Sequence, residues 1–326
     1  MSTLALKGPT WVTVRQYRRT LWLAVALVVL SLAVIGGLRI WDAQVPDLYT
    51  QDGHLAPSYE NRGFRALSGA MEYAGTGMLF LPLLVGALVA GPLIAREYES
   101  GTYQLSLTQS VSPAAWLRAK LLTASAVALL ATLALTGVFR IGWARMPGTW
   151  YKSWDPGPYT ATGIVLFVYV LAAVAVGALL GLLIRRTLVA MAATSLVMGV
   201  ALLALGVYRW SLLPVTTITG PLGSWLRTPV NGLVMDTGLL TASGARFDRS
   251  ICWNEVNRTP GLDGAGDRGM KLFDRCLAQR GATGQYVDYH PSSHFWPTQL
   301  IESGIVLALA ALAAFAAFRV LRARHP

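Results

Sequence analysis

Residues 160–208 read TATGIVLFVYVLAAVAVGALLGLLIRRTLVAMAATSLVMGVALLALGVY, with no charge from 160 to 184, then Arg185-Arg186, then none from 188 to 208. At about 1.5 Å of rise per residue, each half spans the roughly 30 Å hydrocarbon core of a bilayer as a helix. The runs are rich in Leu, Ala, Val and Gly without period-two alternation, so helices are favoured over a barrel. A water-facing helix would carry a polar stripe, which neither run has. The stretch therefore reads as two membrane helices joined by a basic turn.

The pattern repeats outward in both directions. Further charge-free runs occupy 21–38, 75–95 and 121–139, and a sixth at 300–318 carries only Glu302, one turn in. At that depth a carboxylate can reach the interface, so Glu302 is expected to snorkel. The composition agrees: 54% hydrophobic and 13% charged, with a mean hydropathy of +0.49. A soluble domain carries about twice that charge. The first run follows cations as a secretion signal would. It is long, however, and ends in Leu38-Arg39-Ile40-Trp41-Asp42 without a small-x-small cleavage site, so an uncleaved anchor is expected.

Six spans put both termini on one side. With the termini cytoplasmic, segments 1–20, 96–120, 185–187 and 319–326 hold twelve Lys/Arg and two acids, Glu97 and Glu99. Segments 39–74, 140–159 and 209–299 hold fifteen Lys/Arg and thirteen acids over more than twice the length. This asymmetry follows the positive-inside rule. The overall charge of +11 is thus an orientation signal, and a nucleic-acid partner is not expected. Trp11, Trp22, Trp41, Trp143, Trp150, Trp154, Trp210 and Trp296 cluster where the interfaces are expected.

The expected fold is an all-α integral membrane protein in four parts. Residues 1–20 form a cytoplasmic amphipathic helix, or simply a basic flank, with Trp11 on one side and Arg15, Arg18 and Arg19 on another. Residues 21–208 hold spans one to five and a cytoplasmic loop at 96–120. Residues 209–299 form an extracytoplasmic loop domain, whose uncharged 210–226 stretch, broken by Pro214, Gly220 and Pro221, is read as re-entrant or interfacial. Residues 300–326 supply the sixth span and a basic tail. Both cysteines, Cys252 and Cys276, fall in the outer loop, and an even pair outside the cytoplasm reads as one disulfide. A metal site recruiting His290 and His294 is the rival, although neither cysteine sits in a Cys-x-x-Cys pair.

Several chemistries are absent from the sequence. None of Lys7, Lys120, Lys152 and Lys271 follows a glycine, so the chain has no Walker A loop. It also lacks His-Glu-x-x-His and Gly-x-Ser-x-Gly motifs. No catalytic residue, metal or cofactor is assigned, and if work is done across the membrane another chain has to supply the energy.

The loop at 96–120 is where such a chain would dock. Glu97 and Glu99 stand against the basic bias of their side, and Ser112-Pro113 reads as an N-cap followed by proline at the first helical position. The series Glu97-x-Glu99-x-Gly101-Thr102, then Leu105, Leu107-Thr108, a serine-containing turn and Lys120, resembles the signature of type-2 ABC transporter permeases, with proline delayed to Pro113. The resemblance implies a coupling helix that contacts a cytoplasmic ABC ATPase carrying ATP and Mg. It further implies a second permease copy, identical or not, and a plasma-membrane exporter of small or amphipathic substrates. The substrate path would run along the second and fifth spans near Met78, Phe80, Pro82 and Pro92. A membrane-anchored sensor or scaffold with an extracytoplasmic partner-binding domain has the same topology.

Overall fold

The computed structural model describes residues 18–49, 55–58, 60–103, 112–146, 153–229, 231–259 and 266–324. It divides into a helical body, up to Trp210 and again from Thr298, and a second unit, Ser211–Pro297. Among the described residues six helices are long and apolar enough to cross a membrane. The chain is a multi-pass membrane protein.

In the body, α1 (Arg18–Asp42) is apolar on nearly all its exposed surface. A short β1–β2 pair (Leu48–Tyr49 with Leu55–Ala56) leads to the second span. That span is a longer rod than its apolar run suggests. It comprises α2 (Arg62–Val85), a π turn (Gly86–Ala90) and α3 (Gly91–Glu99). The added first turns are amphipathic: Leu67 and Met71 are buried while Arg62, Arg65 and Glu72 face outward. Asn61 starts the rod by accepting from the Phe64 N–H at 2.9 Å. In the π turn the Gly91 N–H reaches back five residues to the Gly86 carbonyl. The third span, α4 (Pro113–Trp143), starts as expected, with Ser112 Oγ accepting from the Ala115 N–H at 3.3 Å and Pro113 in the first turn.

The fourth span departs from its sequence reading. It is broken into α5 (Pro156–Thr162) and α6 (Val165–Ile184), with Gly163 extended between them. α6 is the most buried span, and small residues explain why. A side-chain carbon on Gly177 would lie 2.4 Å from Ala90 Cβ, and one on Gly91 would lie 2.7 Å from Met191 Cα. The second span therefore packs against the fourth and fifth at backbone contact, as small residues allow in membranes. Arg185 ends α6 in the left-handed region (φ 57°), and α7 (Thr187–Tyr208) follows at once. The sixth span belongs to α10 (Phe295–Arg324).

The second unit corrects the all-α expectation. Residues 210–226 form no re-entrant helix; the β-branched run Thr216-Thr217-Ile218-Thr219 lies in a strand, β3 (Thr216–Pro221). It joins β4 (Leu233–Thr241), β5 (Arg246–Phe247) and β6 (Ala282–His290) in an antiparallel sheet of order β3-β6-β4-β5. Helices α8 (Ser250–Arg258) and α9 (Asp267–Gln279) are joined by the Cys252–Cys276 disulfide. Val256, Phe273, Leu277 and Ala282 pack around that bond, and Leu239 packs against them from the sheet. The cysteines pair with each other rather than with histidine, while His290 Nδ1 lies 3.0 Å from His294 Nδ1.

Candidate functional site

The 96–120 loop is anchored by two carboxylates used in different ways. Glu97 is buried, and Lys120, two turns into α4, places its Nζ 2.5 Å from Glu97 Oε1 and 3.2 Å from the Leu93 carbonyl oxygen. The Trp116 ring lies 5.2 Å from the same ammonium. Glu97 Oε2 is buried with no hydrogen-bond partner among the described residues. Glu99 is exposed and accepts from the Thr187 N–H at 2.9 Å. That N–H begins α7 and has no partner within its own helix, and an anion there also suits the helix dipole.

Between these two acids, Tyr98 stacks on Tyr103 with ring centroids 4.3 Å apart, and the Arg185 guanidinium lies 5.3 Å from the Tyr98 ring. Gly101 turns the chain at φ +72°, a conformation open to glycine, and Ser100 Oγ meets Thr102 Oγ1 at 2.9 Å. The base of the loop is thus tied to the third span through Lys120 and to the fifth through Thr187. It also touches the turn between the fourth and fifth through Arg185. Displacement of this stub has three helices to act on.

The remaining sequence candidates are dispersed. Leu105, Trp11 and Arg15 lie outside the described residues, and so does most of the 1–20 helix. Arg18 and Arg19 open α1, with Arg18 exposed. On the second span Met78 and Pro82 are buried, Phe80 is exposed and Pro92 is half-buried just past the π turn. Ser195 Oγ of the fifth span reaches the Leu83 carbonyl at 3.4 Å, so the second and fifth spans do touch within one copy.

At the other end of the membrane body is a cluster the sequence reading missed. Glu302 is fully buried rather than snorkelling. Its Oε2 accepts from Arg209 Nε at 2.8 Å and Tyr159 Oη at 3.0 Å; its Oε1 accepts from an Arg209 terminal nitrogen at 2.9 Å and Tyr169 Oη at 2.8 Å. Arg209 also stacks on the Tyr159 ring, 3.9 Å from its centroid. Beside it, Gln299 mends the break in the fourth span. Its Nε2 donates to the Tyr159 carbonyl at 2.7 Å and its Oε1 accepts from the Val165 N–H at 3.0 Å. The Gln299 amide sits where a Gly163 side chain would be, 2.2 Å from that position, so any larger residue there would displace the amide from its two hydrogen bonds. The available signals were Gly163 within an apolar run, and an acid in one span with an arginine closing another.

A third polar knot fastens the same ends of spans one to three. Arg145 holds Asp47 through both terminal guanidinium nitrogens and Asp42 through its Nε at 2.9 Å, while Asn61 Nδ2 donates to Asp42 at 3.1 Å. The Arg145 hydrogen bond holds the Asp47 carboxyl below the usual carboxylate range, and the same bond pushes the Arg145 value up.

Residues 23–210, which include the loop base, the Lys120 pair and the broken fourth span, match the model of the family described as "ABC-2 membrane transporter related". The chain belongs to this family. The match stops at Trp210, where the helical body first gives way to the 211–297 unit, so the family resemblance lies in the membrane part. No curated protein matches the chain.

Proposed function

We propose that this ABC-2 family protein is the membrane-spanning permease subunit of an ATP-driven exporter in the plasma membrane. In this reading the termini and the 96–120 loop are cytoplasmic and the 211–297 unit is extracytoplasmic. A separate ABC ATPase binds ATP and Mg and docks on the loop, two permease copies pair, and the chain itself catalyses nothing. A small or amphipathic substrate moves between the copies, along surfaces that include the second and fifth spans.

The observation that carries the proposal is the three-way anchoring of the loop base. Closure of an ATPase pushes on a surface, and this surface connects through Lys120, Thr187 and Arg185 to the third, fifth and fourth spans. Glu97 acts as an internal joint to the third span, whereas exposed Glu99 is the group an ATPase can compete for. Co-expression with a cognate ATPase and affinity capture on the permease should recover a stable complex. Glu99→Ala should leave the melting temperature within a degree or two while reducing substrate-stimulated ATP hydrolysis several-fold. Repeated capture of the permease without an ATPase would overturn the reading.

The 211–297 unit supports a second reading, a sensor or scaffold that binds an outside partner without transport. A cavity of about 660 Å³ lies beside the sheet, lined by Trp225, Trp253, Phe273, Gln285 and Arg249, a volume typical of small-molecule sites. Binding at that cavity with no transport by the reconstituted complex would favour it.

A further inference from the structure

The loop-side ends of the third and sixth spans enclose a groove of about 410 Å³ lined by Arg118, Leu121, Leu122, Phe315, Phe318, Arg319 and Arg322. Both helices carry the same arrangement. On α4, Arg118 lies toward the end, and Leu121 and Leu122 follow one turn deeper. On α10, Arg319 and Arg322 lie toward the end, and Phe315 and Phe318 lie one turn deeper. Residues three and four apart share a helix face, so each helix shows a cationic rim above an apolar wall. The Arg319 guanidinium lies 5.3 Å from the Phe315 ring, the reach of a cation–π contact.

Charge accounting leaves this rim without counter-ions. The sequence places two carboxylates on this side, and both are occupied: Glu97 by Lys120 and Glu99 by the Thr187 N–H. Arg185 stacks on Tyr98, and Arg324 donates to the Leu182 carbonyl at 2.5 Å. Among the described residues Arg118, Arg319 and Arg322 have no carboxylate partner, and all three are exposed. They stand where apolar span gives way to a charged helix end, at the depth of lipid phosphates. Basic pockets between membrane helices at this level suit anionic headgroups, and the Leu/Phe wall beneath suits an acyl chain.

We propose that this groove is a binding site for an anionic phospholipid, with its phosphate among the three guanidiniums and its acyl chains along Leu121, Leu122, Phe315 and Phe318. The site requires only that the chain spans a bilayer and is independent of transport or its direction. Its consequence is a lipid clasp between the third span, which carries Lys120, and the sixth.

The test uses the full chain purified in detergent, with lipid retention read by native mass spectrometry and thermal stabilisation read alongside. The probes are phosphatidylglycerol, phosphatidylcholine of the same acyl chains, and glycerol phosphate as a headgroup without chains. Phosphatidylglycerol should be retained and should raise the melting temperature, with phosphatidylcholine and glycerol phosphate weaker by tenfold or more. Arg319→Gln should weaken phosphatidylglycerol about fivefold, and Arg118→Gln/Arg319→Gln/Arg322→Gln roughly 100-fold, the scale of one and three basic contacts at an anionic surface. Arg96→Gln removes one charge from the same side outside the groove and should change nothing. Equal losses for Arg96→Gln and Arg319→Gln, equal retention of both lipids, or full competition by glycerol phosphate would each overturn the proposal. So would a triple variant that changed oligomeric state while keeping its lipid, because the groove would then be an interface between copies.

Discussion

Among the described residues the body holds two ion pairs with both partners buried, at opposite ends and built to different standards. Around Glu302 every acceptor is used: two hydrogen bonds to each oxygen, from one guanidinium and two phenols. Around Glu97 one oxygen meets Lys120 and the other meets nothing among the described residues. The cation types differ in the same sense. Arginine stays charged in proteins, and its planar fork fits a carboxylate with two parallel bonds; lysine is a point charge on a flexible stem that can give up its proton. A saturated cluster in low dielectric has one good geometry. An unsaturated pair loses little by rearranging. The Glu302 end therefore reads as a fixed clamp on the fourth, fifth and sixth spans, and the Glu97 end as a joint that can move.

Glu302→Gln tests this contrast most severely. It leaves Arg209 buried without its counter-charge, and breaking a buried pair this way costs about 3–5 kcal/mol. The expected outcome is a large drop in melting temperature in detergent or loss of folded protein; a drop no larger than that of Glu97→Gln would end the comparison. Next is Gln299→Leu, which strands the Tyr159 carbonyl and the Val165 N–H, at about 2–3 kcal/mol for the two buried groups. Should its melting temperature match the parent's, Gln299 would not be what mends the fourth span.

Glu97→Gln should cost less, about 1–2 kcal/mol, because Lys120 keeps the Leu93 carbonyl and can shed its charge. The paired variant Glu97→Leu/Lys120→Met should recover most of that stability, since apolar replacement of a whole buried pair is often neutral. A paired variant much less stable than either single one would show the joint to be a second clamp.

The smallest effect is a pH dependence at the Arg145 knot. Folding depresses the Asp47 value, so its contribution is present above the ordinary carboxylate range and lost as pH falls through the folded value. The melting-temperature gap between the parent and Asp47→Asn should be open at pH 7, begin to narrow only below about pH 4, and close once the pH is below the folded value. A gap that persisted into strong acid would mean Asp47 acts by shape rather than charge.

How much of this was legible in the sequence follows from the physics of each part. The spans were legible because a bilayer core demands uninterrupted apolar length; their ends were less so, because Arg62, Arg65 and Glu72 can extend a helix past the lipid while Leu67 and Met71 stay buried. The break at Gly163 was hidden because a helix interruption is acceptable in a membrane when a distant side chain, here Gln299, takes up the freed groups. The sheet of the 211–297 unit went unseen for a similar reason, since β3 pairs with β6 some seventy residues later. At the site, the sequence marked Glu97, Glu99 and Lys120 through charge that opposes local bias or caps a span. That Glu97 faces inward and Glu99 outward is set by three-dimensional packing.

The π turn at Gly86–Ala90 has one more consequence. With about 3.6 residues per turn, one residue more or less rotates everything beyond it by about 100°. The five-residue loop from the Gly91 N–H to the Gly86 carbonyl works as a phase shifter within the second span. It allows Leu67, Met71 and Met78 on one half, and Gly91 and Ile94 on the other, to face inward at once. Straightening the turn into a regular helix with all its residues kept would swing one half's inward face out of register, whereas deleting one residue between 86 and 90 would restore a regular helix with both faces still inward. A one-residue insertion there should therefore be far more disruptive than a one-residue deletion.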